Sequence, residues 1–227
     1  MKWDSYFSNI VEERRQNPRE DLITNLINAQ ADGRNLYKDE ILTFCTLLLL
    51  AGHVTTVNLI GNTILSLLQN PHEFRLLQGD RTLIPSTIEE TLRYRSPVQA
   101  VSRIVTKDIN LVRQKIQSGQ RIIAWIGSAN HDESIFADPE RFDIARSNSH
   151  HYHAHIGFGH GIHFCLGAPL ARLEGQVVLG VILQRFQGLL LDPEEEERLS
   201  PLQSVFFHGV AHLPLRFKPG QMKMYSS

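Results

Sequence analysis

"HHYHAHIGFGHGIHFCLG", residues 150–167, places six of the chain's eleven histidines and one of its two cysteines within eighteen positions. Three chemistries compete for this stretch. Gly157, Gly159 and Gly161 are spaced G-x-G-x-G rather than G-x-G-x-x-G, and there is no P-loop lysine with its serine or threonine, so phosphate cradling fails. His151, His153 and His155 alternate, and on an extended segment they face one way as a zinc-type ligand set would. The chain offers neither a paired C-x-x-C nor an H-E-x-x-H to complete such a site. The third reading, a cradle built around Cys165, uses more of the residues. Glycines on both sides of it let the backbone turn tightly and come close to a flat ligand.

The run that follows, "LGAPLARLEGQVVLGVILQRF" (166–186), reads as an amphipathic helix. Cys165 therefore stands just ahead of a helix N-terminus, where backbone N–H groups and the positive dipole end stabilise a thiolate. A thiolate held in this way is a good axial ligand for haem iron, and His163, two residues earlier, could reach a haem carboxylate.

The bulk of the sequence agrees with a globular chain. It has 227 residues, 42% hydrophobic and 21% charged, with a net charge of −1, so no global basic field attracts nucleic acid or an anionic membrane. Two cysteines are too few for a disulfide framework and point to a reducing, cytoplasmic setting. "MKWDSYFSNIVEERR" carries charges throughout and does not read as a signal peptide. From Ile41 to Gln69 no residue is charged, which is long enough to span a bilayer. The stretch also holds His53, Asn58, Asn62 and five threonines, costly in lipid, and is read as a helix buried through a protein core.

Working outward, helical spacing predicts helices over 3–15, after "NPRED", over about 38–69, near "HEFRLL" and over 84–94. "VQAVSRIV", "INLV", "RIIAWI" and the late "LPLRF" read as short strands. The expected fold class is mainly α with a minor antiparallel β-sheet, in a single domain.

F-G-x-G-x-H-x-C-x-G-x-x-L-A-x-x-E, read from Phe158 to Glu174, resembles the haem-binding loop of the cytochrome P450 family, and "GIHFCLGAPLARLE" is most similar to its soluble bacterial members. The resemblance implies that residues 1–227 form the C-terminal part of the cytochrome P450 fold, a partial domain without the family's N-terminal half. It implies haem b (iron protoporphyrin IX) on Cys165, with Phe158, Gly159, Gly161, Gly167 and His163 around it. Ala51-Gly52-His53-Val54-Thr55-Thr56 is a small-residue patch that spacing alone assigns to helix packing. It is similar to the family's oxygen-binding A-G-x-[D/E]-T-T, which assigns Ala51 and Gly52 to the ligand face and Thr55 and Thr56 to catalysis. Val54 departs from that pattern, standing where an acid would relay protons.

Glu90 and Arg93, one turn apart, are an ordinary surface pair on spacing alone. They resemble the family's E-x-x-R, with Arg141 of "DPERFD" matching the arginine that completes the triad. Arg103 matches an arginine that pairs with a haem propionate. The activity implied is that of a haem-thiolate monooxygenase. Electrons would come indirectly from NAD(P)H through a ferredoxin or flavodoxin-type partner with its reductase, and the substrate would be an apolar small molecule. No nucleic acid or membrane partner is expected, and Arg172 is a cation that an acidic partner protein could meet. The alternative is a truncated remnant that binds haem weakly or not at all and collects metals on its histidine tract.

Overall fold

A computed structural model describes residues 2–31, 33–146 and 154–219 of the chain. Among the described residues there are seven α-helices: α1 (Lys2–Gln16), α2 (Leu22–Asn28), α3 (Lys38–Gln69), α4 (Pro71–Gly79), α5 (Ile84–Tyr94), the short α6 (Ile126–Ala129) and α7 (Ala168–Arg185). The strands are β1 (Gln30–Ala31), β2 (Arg34–Asn35), β3 (Ala100–Ile104), β4 (Ile109–Leu111), β5 (Gln114–Ile116), β6 (Arg121–Trp125), β7 (Phe186–Leu191) and β8 (Leu215–Pro219). They form four separate two-stranded antiparallel ladders, β1–β2, β3–β6, β4–β5 and β7–β8. The fold is mainly helical with small antiparallel sheets, as the sequence reading had it.

Punctuation explains the helix ends. α3 stops where "NP" begins, because the pyrrolidine ring is tolerated only in the first turn of the next helix, α4. At α2, the Asp21 side chain accepts from the Thr24 N–H at 2.9 Å and caps the first turn.

The chain divides into two compact units, Met1–Val54 and Thr55–Ser227, and α3 contributes to both. The first unit is held by Val11, Leu26, Ile41 and Cys45, all buried. In the second, Leu59 and Leu67 of α3, Leu77 of α4, Ile88 and Leu92 of α5, Phe142 and Ile144, and Leu179 and Leu183 of α7 make one core. α5 and α7 approach closely because position 175 is glycine: a Cβ there would sit 3.1 Å from Ile88 Cδ1.

The expectation for α3 needs correction along part of its length. Asn58 to Leu67 is buried apart from Ile60 and Gly61, which are half-buried, but Leu47, Leu49, Leu50, Val54 and Val57 are exposed. By length and composition α3 could cross a membrane, with a mean hydropathy of 1.6 over its most apolar window. Its core contacts lie at the two ends of the apolar run, Ile41 and Cys45 in the first core and Leu59 and Leu67 in the second, and the middle of the run is exposed.

Candidate haem-thiolate site

The cysteine loop is shaped by its own backbone. Gly159 and Gly161 both lie in the left-handed region, at φ 76° and 75°, which a side chain would strain. They lie within a turn that is closed by the Cys165 N–H donating to the Phe158 carbonyl at 3.0 Å and the Phe164 N–H to the Gly161 carbonyl at 2.9 Å. The loop feeds directly into α7: Gly167 is its N-cap, and the Ala168 N–H donates to the Cys165 carbonyl at 3.2 Å. A Cβ at Gly167 would lie 3.9 Å from Cys165 Sγ, so glycine keeps that side of the sulfur open.

Cys165 is a free, exposed thiol. The side chains next to it are exposed and apolar, with Ile162 97% and Leu166 78% accessible. His163 is exposed as well. A soft sulfur donor ahead of an eighteen-residue helix, in a glycine-relieved loop rimmed by apolar side chains, fits a flat apolar ring system with a metal at its centre. The donor chemistry therefore fits haem. Arg103 lies on β3, opposite Ile122 of β6, and is exposed, with its Nη1 on the Ser102 carbonyl at 2.9 Å.

Two ion-pair networks are built on α5: one ties it to Asn130 and the 139–146 turn, the other ties it to the cysteine loop and α7. In the first, all five guanidinium N–H groups of Arg93 are used. Nε and Nη2 clasp the Glu90 carboxylate at 2.9 and 2.8 Å, Nη1 donates to the Asn130 and Pro139 carbonyls at 2.9 Å each, and Nη2 also reaches the Arg141 carbonyl at 3.0 Å. Arg141 enters this network only through its carbonyl, which corrects the sequence assignment. Its side chain is 59% exposed and points at Glu73 and Asp143, each 3.9 Å away. The second arginine on Glu90 is Arg146, whose Nε lies 3.2 Å from the carboxylate and whose side chain is 9% exposed. The physical reason is placement: Arg146 follows the turn at 141–146 back toward α5, and its Nη2 shares the Arg141 carbonyl at 2.9 Å. Arg146→Ala is accordingly expected to destabilise the chain by about 3 kcal/mol or more, the cost of stranding a buried charge, and Arg141→Ala by under about 1 kcal/mol. Urea unfolding of the two variants side by side checks this.

Glu89, next to the residue that sequence reasoning selected, anchors the second network. Arg172 of α7 donates to it at 2.6 and 2.9 Å, and His155 Nε2 lies 2.9 Å away. The Arg172 guanidinium also stacks 4.6 Å over the Phe158 ring. Arg172 is thus bound to the loop's support rather than free to meet an acidic partner, a second correction. Asn130 completes the attachment: its Oδ1 accepts from the Ile156 N–H at 2.8 Å, while its Nδ2 donates to Ser96 Oγ at 2.8 Å. Gly157 lies so close to α5 that a Cβ would meet the Leu92 carbonyl at 2.8 Å. Two adjacent acids on one helix, "EE" at 89–90, were the signal available in the sequence; which faced which cation was not.

Burial alone pushes the Glu89 carboxyl up, but hydrogen bonds from His155 and Arg172 outweigh it and hold it at about 2, from an ordinary 4.5. With the folded value depressed, this group's stabilisation is complete above about pH 4.5 and is lost as pH falls toward about 2. Glu89→Gln should flatten that part of the acid-unfolding curve, measured by circular dichroism at equilibrium. A curve of unchanged shape would mean that another carboxylate sets the acid limit.

The remaining sequence candidates are placed as follows. Ala51 and Gly52 are exposed and belong to the first unit, and a Cβ at Gly52 would meet nothing within 4 Å. Thr55 and Thr56 are half-buried and open the second unit. His150, His151 and His153 lie outside the described residues. Both ring nitrogens of His155 are engaged, Nε2 by Glu89 and Nδ1 by the Gly157 N–H at 3.2 Å. Among the described residues no group of three histidine, cysteine or acidic side chains is arranged to hold a metal ion.

A family profile described as "Cytochrome P450" matches residues 1–80 and 77–218. Cytochrome P450 109 of Bacillus spizizenii is 42% identical over 211 residues, 93% of this chain and 51% of the relative. Cytochrome P450 monooxygenase PikC of Streptomyces venezuelae is 36% identical, over 95% of this chain and 51% of the relative. The crystal structure of CYP109E1 from Bacillus megaterium in complex with testosterone superposes with a TM-score of 0.88 at 43% identity, covering 95% of this chain and 58% of that one. The chain spans about half the length of the relatives it matches.

Proposed function

The chain belongs to the cytochrome P450 family, and on that premise we propose that it is the haem-binding part of a haem-thiolate monooxygenase. The observation that carries the reading is Cys165: an exposed free thiol two residues before the N-cap of α7, in a loop that two left-handed glycines shape and the Glu89–His155–Arg172 network fixes. Cys165 Sγ would hold the iron of haem b, and His163 and Arg103 would take its propionates. When bound, the haem supplies the iron chemistry by which one atom of dioxygen enters an apolar substrate and the other leaves as water, consuming two electrons and two protons.

The chain's own residues then have separate tasks. The loop presents the thiolate and, through α7, the helix dipole that favours it. Ala51 and Gly52 keep side-chain bulk away from their face of α3. The Thr55 hydroxyl holds or passes a proton, with Thr56 beside it, and Val54 contributes none, because an isopropyl group cannot relay one. A ferredoxin or flavodoxin-type protein with its reductase would deliver the electrons from NAD(P)H in the cytoplasm. A non-catalytic remnant is the second reading, favoured by the exposed apolar middle of α3 and by Val54.

Haem titration of the purified chain, followed by turnover with a surrogate ferredoxin system and ¹⁸O₂, separates the two. The proposal expects one haem per chain and one labelled oxygen in the product. Substoichiometric haem and no incorporation would leave the remnant reading.

A further inference from the structure

Phe158 is the strut of the cysteine loop. Its carbonyl accepts the Cys165 N–H at 3.0 Å, and its ring lies 4.6 Å under the Arg172 guanidinium. The backbone on both sides of it is permissive, because residues 157 and 159 are glycines. Gly157 is required by close approach, since a Cβ there would lie 2.8 Å from the Leu92 carbonyl of α5. The same close fit therefore brings a backbone freedom that would leave the strut's direction loose unless another group removes it.

The ring of His155 removes it. Its side chain is 3% exposed, and Nδ1 accepts the Gly157 N–H at 3.2 Å, the only acceptor for that donor among the described residues. Imidazole here makes the turn that an asparagine side chain makes with the N–H two residues on. With Nδ1 as acceptor, the ring proton stands on Nε2, which meets Glu89 Oε2 at 2.9 Å. The two contacts are unequal. Without His155, Glu89 keeps both hydrogen bonds from Arg172, at 2.6 and 2.9 Å, whereas the Gly157 N–H is left with nothing.

We propose that His155 is a positioning residue for Cys165: its ring, as the Nε2–H tautomer, fixes Gly157 and Phe158, and through them the backbone that carries the sulfur. Resting on the haem-thiolate reading above, His155 sets how Sγ is presented, and it does so through Nδ1 rather than through its contact with the buried carboxylate.

Two near-isosteric variants divide the ring in half. His155→Asn keeps an acceptor where Nδ1 stands and gives up the donor to Glu89. His155→Gln keeps a donor where Nε2 stands and gives up the acceptor for Gly157. In the haem-loaded, reduced, CO-bound chain, His155→Asn should keep the red-shifted thiolate band, and His155→Gln should lose a large part of it to a band of non-thiolate type. Without haem, amide exchange at Cys165 should stay within about twofold in His155→Asn and quicken roughly tenfold in His155→Gln, the worth of one hydrogen bond. A His155 that served only as a partner of Glu89 gives the opposite order, and that order, or two variants alike, would overturn the proposal. Long-range ¹H–¹⁵N NMR of the unsubstituted chain reads the ring directly, and decides the matter where a variant does not fold. The Nε2–H tautomer is expected, and the Nδ1–H tautomer would overturn the proposal. If the chain takes up no haem, the exchange and tautomer results stand and only the monooxygenase reading falls; a full thiolate band in both variants leaves that reading and removes this one.

Discussion

Cys165→Ser is expected to abolish thiolate ligation of haem and to leave the fold in place. The thiol is exposed and has no disulfide partner. The loop's hydrogen bonds at this position are made by its backbone, the N–H to Phe158 and the carbonyl from Ala168. A hydroxyl of similar size therefore keeps the loop's shape and removes only the soft donor. Outer partners of metal ligands are worth roughly 10–100-fold in affinity, so loss of the ligand itself should exceed about 100-fold. Haem titration with a Soret readout measures it, with circular dichroism confirming the fold. Zinc or nickel uptake by the histidine-rich run should be unaffected; its loss together with haem would mean that the two sites are one.

Arg93→Met has the second large effect, this time on stability. The guanidinium is almost fully buried, clasps Glu90 with two hydrogen bonds, and satisfies carbonyls at Asn130, Pro139 and Arg141. Methionine fills much of the volume but leaves Glu90 with Arg146 as its one arginine and takes the guanidinium donor from the Asn130 and Pro139 carbonyls, while the Arg141 carbonyl keeps Arg146. Breaking one side of a buried pair costs about 3–5 kcal/mol, a large part of the stability of an ordinary domain. Arg93→Lys should recover little, because an ammonium offers three donors where five are used. Denaturant midpoints for the single variants and for Glu90→Gln with Arg93→Met give the coupling. A loss below about 1 kcal/mol in Arg93→Met would contradict the network's role in assembly.

Where local chemistry decides, the sequence was legible. The ends of α3 and α5 follow from the prolines beside them, and the cysteine loop from glycines that only a left-handed turn requires. Where a side chain's direction depends on a distant segment, it was not. Arg141 and Arg146 stand five residues apart in one run, and only the packed turn shows that the second faces Glu90. Glu89 and Glu90 are neighbours, yet one meets α7 and the other the 141–146 turn. The apolar pattern of Ile41–Gln69 is uniform, but burial is not, because the two cores take only its ends and leave Leu47 to Val57 largely exposed. The pairing of β7 with β8 joins segments some thirty residues apart and carries no local signal.

The absorption spectrum of the reduced, CO-bound chain after haem loading tests the central claim most directly. Ligation by Cys165 predicts the strongly red-shifted Soret band of a thiolate complex, at one haem per chain. A histidine-type band, or no stoichiometric haem, would contradict it.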